Sequence, residues 1–238
     1  MKPLLAILLS VVVLSATAQE GWELYHAPGE NAAELARKLQ PLLPQGVTLQ
    51  AVRLPATCDT PQEAELQSRA IAAGVQALPC LVLRDAKGPY AALPLNGLKA
   101  TTVAAARNLA HATDRESAAY RRRLIARVFE LRYALSRSAD TAEQDRIIAR
   151  MQELIQHADT PTDVRQLVGL HCIYPALMQQ YTAEYRGSHT PRTEAKLLEA
   201  IRALEAARDA DPSSQLGRRA YSEREKLRAA RLKSRQYE

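Results

Sequence analysis

Apolar and polar positions alternate over Trp22-Glu23-Leu24-Tyr25-His26 and again over residues 47–54, which predicts two short strands. Ala27-Pro28-Gly29 breaks the first, and Leu35, Leu39, Leu42 and Leu43 then share one helical face. Thr60-Pro61-Gln62-Glu63 reads as a capping box with proline at the first helical position, opening a helix that Gly74 closes. Residues 75–85 and 90–95 predict two more strands around a turn at Ala86-Lys87-Gly88-Pro89. Asn96-Gly97 turns the chain, and Thr101 or Thr102 is the expected cap of a helix through Val103, Arg107 and Leu109. The predicted order is β-α-β-α-β-β-α.

From Ser117 onward the period is helical throughout. Tyr120, Leu124, Val128, Leu131 and Leu135 form one stripe, widened by Ile125 and Phe129. Thr141-Ala142-Glu143-Gln144 reads as a second capping box, with Ile147, Ile148, Met151, Leu154 and Ile155 as the apolar face behind it. Thr160-Pro161, Thr190-Pro191 and Asp211-Pro212 each place a capping side chain before a proline, which predicts three further helix starts. The helix over residues 161–186 contains Pro175 and should kink there. Short links between these helices predict antiparallel hairpins, either a helical bundle or a short helical hairpin array. The fold class expected is therefore α+β, an N-terminal α/β domain followed by a C-terminal all-α domain.

The opening residues change the picture of where the protein works. Lys2 precedes an apolar block from Leu4 to Leu14, and Ala16-Thr17-Ala18 supplies small residues before Gln19. That pattern is expected to be a signal peptide over residues 1–18, because the block is shorter than the roughly 18 to 20 residues that span a bilayer. The expectation is an exported protein, periplasmic or extracellular, with no transmembrane segment after cleavage. The mature domains would be residues 19–113 and 114–238. Apolar residues make up 47% of the chain and aromatic ones 5%, enough for packed cores and tilted toward helix. The formal net charge of +6 is concentrated from Arg218 onward, where basic residues outnumber acidic ones. Such a segment could touch an anionic surface weakly, through charge alone. Aromatic stacking residues are too few to suggest a nucleic-acid partner.

The stretch Gly74-Val75-Gln76-Ala77-Leu78-Pro79-Cys80-Leu81-Val82-Leu83, followed by Asp85, Gly88 and Asn96-Gly97, resembles the thioredoxin family over about residues 21–112. The resemblance implies that Pro79 is cis and opens the third core strand, beside a groove that accepts peptides. It also implies a Cys-x-x-Cys pair after the first strand, where a helix N-terminus lowers a thiol pKa. This chain has Glu30-Asn31-Ala32-Ala33 at that place, so the family's dithiol exchange has no reagents there. The reading that follows is a redox-inactive thioredoxin-like protein, not an enzyme, that binds a protein or peptide partner through Leu78, Pro79, Cys80 and Glu30. In the second half, residues 196–212 are similar to the end of a tetratricopeptide repeat, over a single part-repeat.

Three cysteines remain: Cys58, Cys80 and Cys172. In an oxidising compartment Cys58 and Cys80 are the disulfide candidate, since each follows or opens a strand at the functional edge of such a sheet. They could be a structural staple, two unpaired thiols, or a relocated redox pair. The last gives the alternative function, a thiol–disulfide oxidoreductase or isomerase-like enzyme with Cys80 as nucleophile and Cys58 resolving. Cys172 sits beside His171 in a helical run and is expected to be buried. The five histidines show no metal-ligand spacing, and no phosphate-binding glycine loop or nucleophile elbow is present, so neither metal nor cofactor is expected.

Overall fold

A computed structural model describes residues 21–185 and 190–235. The expected signal peptide, residues 1–18, lies outside them.

The N-terminal half is a mixed four-stranded sheet with helices on both faces. Its strands are β1 (Gly21–His26), β2 (Thr48–Arg53), β3 (Cys80–Asp85) and β4 (Gly88–Pro94), in the order β2-β1-β3-β4. β1 runs parallel to β2 and antiparallel to β3, and β3 is antiparallel to β4. Helix α1 (Ala32–Leu39) and helix α3 (Ala100–Arg107) cover one face, closing Trp22, Leu24, Leu81 and Leu83 into a core. Helix α2 (Pro61–Ala73) covers the other, over Tyr25, Val52, Cys80 and Val82. Both sets alternate along β1 and β3, so a two-residue period sends each side chain to its own core. The pairing of β3 with β4 slips between Leu83 and Arg84. The extra residue, Tyr90, and its neighbour Ala91 thereby both join the α1/α3 core.

Several element starts follow the sequence pattern and several shift. Thr60 and Glu63 cap α2 reciprocally, and Gly74 ends it with φ of 90°, a conformation that favours glycine. The cap of α3 is Lys99 rather than a threonine, and it makes no side-chain hydrogen bond.

The C-terminal half is helical. Helix α4 (Arg115–Arg137) leads into α5 (Thr141–Gln156), α6 (Thr162–Val168), α7 (Tyr174–Glu184), α8 (Pro191–Ala210) and α9 (Gln215–Arg235). Asp140, not Thr141, caps α5 by accepting the Ala142 N–H. Thr160 does not cap α6; its hydroxyl donates to the Leu154 carbonyl, at 2.6 Å, and the helix starts at Thr162. Thr190 caps α8 as expected, with Thr193 closing the box. Asp211-Pro212 forms a turn, and Ser214 accepts the Gly217 N–H to start α9 three residues later than the pattern suggests. Pro175 lacks the N–H that would continue an α-helical ladder. The rod answers with a π-helical turn, Gly169–Ile173, between α6 and α7.

Val128, Leu131, Ile148, Met151, Val168, Ile173, Leu177 and Ala200 form the main helical core. α8 packs along the α6–α7 rod and then pairs with α9. Gly169 permits that approach, because a Cβ there would sit 3.0 Å from both the Ala203 carbonyl and the Ala207 Cβ. α4 belongs to both halves. One side lies on α2, where Ser68 donates to Glu130 at 2.8 Å, and the other delivers Val128 and Leu131 to the helical core. The expected boundary between residues 113 and 114 thus falls just before a shared helix rather than in a loose linker.

Candidate functional site

The C-terminal end of β1 and the start of β3 meet at one edge of the sheet. Tyr25 pairs with Cys80, which brings Pro79 opposite the β1 end at His26. The Leu78–Pro79 peptide is cis. The Pro79 carbonyl accepts the Leu95 N–H at 3.0 Å, and the His26 carbonyl accepts the Leu54 N–H at 2.9 Å. The approach from β1 to α1 is a tight turn. Glu30 Oε2 accepts the Ala27 N–H at 2.6 Å, and the Glu30 N–H donates back to the Ala27 carbonyl at 3.3 Å. Asn31 caps α1 by accepting the Ala33 and Glu34 amides. The Glu30 carboxylate is therefore engaged in the turn, and Asn31 caps the helix.

Of the four contact residues expected from sequence, three reach the surface. Leu78 is 37% exposed, and Pro79 and Glu30 are partly exposed. Cys80 is withdrawn: at 1% exposure its side chain packs among Tyr25, Val52 and Val82 beneath α2.

The Cys58–Cys80 disulfide is not formed, and all three cysteines are free thiols. Topology explains it. β1 stands between β2 and β3. Neighbouring strands lie about 4.8 Å apart, so the line from Cys80 through Tyr25 to Val52 spans roughly 10 Å, beyond the 7 Å limit for a bond. Cys58 lies in the loop beyond β2, where its carbonyl accepts a hydrogen bond from Arg137 on α4 at 3.0 Å. Neither thiol is activated. Burial pushes the Cys80 thiol up to about 11. Burial, with Glu63 and Asp59 nearby, also raises that of Cys58. Cys172 is buried as expected, and burial raises its thiol as well.

Two clusters escaped the sequence reading. Glu23 is 3% exposed on β1, where it accepts from Tyr25 Oη at 2.9 Å and pairs with Arg69 of α2 and Arg84 of β3. Those partners outweigh desolvation and hold its carboxyl below the usual range. The same surroundings, burial first and the Glu23 charge second, push Tyr25 up to about 12. The signal was a carboxylate inside a strand whose neighbours are Trp22 and Leu24. The second cluster lies where α4 and α5 meet the π-helical turn, around Arg132 and His171.

The basic C-terminal segment is less free than its composition suggests. Arg224 pairs with Glu225, Arg228 with Glu205 and Arg231 with Glu194, so much of its charge is answered on the protein itself.

Comparison with protein-family models, with curated proteins and with solved structures finds no match.

Proposed function

We propose that residues 19–113 form a redox-inactive thioredoxin-like domain, and that the exported protein binds an extended segment of a protein or peptide partner at the edge formed by Ala27–Glu30 and Leu78–Pro79. The observation that carries the reading is the sheet order β2-β1-β3-β4 with a proline opening β3 against the end of β1. Leu78 presents an apolar side chain there, and Glu30-Asn31-Ala32-Ala33 stands where the family's chemistry needs cysteines. The helical half provides a second interaction surface, and the basic face of α9 contributes at most weak attraction to anionic surfaces. A thiol enzyme using Cys80 with Cys58 has the structure's chemistry against it: one thiol is buried, both have raised pKa values, and a strand separates them.

Panning the mature protein against a displayed random-peptide library tests this, with amide shifts of the labelled protein mapping each selected peptide. The expected result is perturbation centred on the amides of Ala27, Glu30, Leu78 and Cys80. Leu78→Asp, which alters an exposed side chain, should weaken binding about tenfold or more. Selected peptides that leave all of these amides unmoved would refute the site. Export is tested separately, by the N-terminal sequence of the secreted product, expected to begin at Gln19.

A further inference from the structure

The helical half contains a feature that the peptide edge does not use. A cavity of about 260 Å³ opens between α4, α5 and the π-helical turn. Its walls include Arg132 and Ser136 from α4, Gln144 from α5, His171 and Cys172 from the π turn, and Gln179 from α7. No carboxylate lines it. That volume suits a small molecule or a single ionic group rather than a drug-sized ligand.

The chemistry of the wall is one-sided. Arg132 is exposed, and among the described residues no carboxylate or carbonyl engages its guanidinium. Three other arginines of α4 are paired, Arg121 with Asp163, Arg127 with Glu130 and Arg137 with Asp59, whereas Arg132 faces the cavity. Burial, then the nearby charges of Arg219 on α9 and Arg132, push the His171 ring below its ordinary value. At neutral pH the ring is therefore neutral, flanked by two cations. Ser136 and Ser138 have already donated their hydroxyls, to the Tyr133 and Asp140 carbonyls at 2.8 and 3.2 Å. Gln144 donates one of its two amide N–H groups to the Ser138 carbonyl at 2.8 Å, while Arg132, His171 and Gln179 line the cavity with donors engaged in no such bond among the described residues. The π turn that presents His171 is a backbone irregularity of the kind that recurs at functional sites.

We infer that this cavity binds a small ligand through an oxyanion group, a carboxylate or a phosphate, held by the guanidinium fork of Arg132 with His171 and Gln179 as further donors. A guanidinium offers two parallel N–H groups matched to two oxygens of such a group, which a lone ammonium cannot. The bound charge would also relieve the repulsion that Arg132 and Arg219 impose on a protonated His171, so ligand and proton should bind cooperatively.

The test is a titration of the purified mature protein with inorganic phosphate, and separately with acetate, at constant pH and constant ionic strength set by chloride. The ring proton of His171 is followed by NMR. At least one anion should give a saturating shift, and the one that saturates at lower concentration identifies the preferred group. Arg132→Gln should weaken it about tenfold or more, and Arg132→Lys should fall between. Arg150→Gln, an exposed arginine on α5 outside this cavity, should leave it unchanged. Circular dichroism confirms that each variant is folded. A linear drift for both anions, a saturating shift that survives Arg132→Gln, or equal losses from Arg132→Gln and Arg150→Gln would overturn the inference.

Discussion

Arg115 grips Asp85 with both terminal nitrogens, each 2.6 Å from a different carboxylate oxygen. The pair ties the first residue of α4 to the last residue of β3, so it joins the helical half to the sheet. The same guanidinium also donates to the Ala110 and Gly88 carbonyls, and it lies over the Tyr90 ring at 5.3 Å. Tyr90 is in position because the β4 bulge turns it toward the α1/α3 core.

Arg115→Ala should cost about 3 kcal/mol, because it strands a carboxylate and two carbonyls around a side chain that is 8% exposed. In a chain of this size that lowers the melting temperature by roughly 6 to 12 °C. Arg115→Lys keeps the charge but loses the fork, and it should recover only part of the loss. Differential scanning calorimetry of the three proteins decides the matter.

The same pair gives a pH dependence. The Arg115 hydrogen bonds hold the Asp85 carboxyl below its usual range. A depressed acid contributes stability that is present above its unfolded value, about 4, and is lost as pH falls through the folded value. Stability below about pH 4 should therefore fall less steeply in Arg115→Gln than in the parent. Denaturant midpoints across an acid series measure the difference.

Native thiol labelling should be ordered. At about pH 8, iodoacetamide should modify Cys58 first, slowly, and leave Cys80 and Cys172 intact until denaturant is added. Masses of the three cysteine peptides report it. Fast labelling of Cys80 in the folded protein would revive the thiol-enzyme reading. Because burial raises Cys80 to about 11, its contribution to stability is complete below about pH 8.5 and disappears as pH climbs through the folded value.

Glu23→Gln should bring Tyr25 down from about 12 toward its ordinary value, since it removes the negative charge that opposes the phenolate while Arg69 and Arg84 remain. The shift will be partial, because burial is the larger cause and is unchanged. Carbon-detected titration of the tyrosine ring resonances reads it directly.

Gly217→Ala should destabilise the start of α9. A Cβ there would stand 2.0 Å from the Asp211 carbonyl oxygen and 3.2 Å from Gln166 Nε2. Gln166 itself donates to the Ala207 and Asp211 carbonyls, so the clash falls on a buried polar lock between α6, α8 and α9. The expected cost is about 1 to 3 kcal/mol. Hydrogen exchange should show it as faster opening of α9 ahead of the sheet.

Sequence alone determined what depends on neighbours along the chain. The two-residue alternation of residues 22–26 and 47–54, the Thr60–Glu63 capping box, the Gly74 stop and the Thr190–Pro191 start are local features, and each is present in the structure. That Glu30-Asn31-Ala32-Ala33, the turn and helix start after β1, holds no cysteine was equally plain from the residues themselves. Tertiary structure decided whatever depends on which elements become neighbours. Cys58 and Cys80 looked like partners because each stands beside a strand, yet only the placing of β1 between β2 and β3 sets their distance. Glu23 looked like the polar face of an alternating strand, until α2 covered that face and brought Arg69 to it. Asp140 displaced Thr141, and Ser214 displaced Asp211, because several side chains could cap each end and packing selected one. Arg132 and His171 are far apart in the chain, and they line one cavity only because folding brings α4 near the π turn that precedes Pro175. Short-range hydrogen bonding and periodicity are written in order along the chain, whereas burial, charge pairing and cavities come from contacts between distant segments.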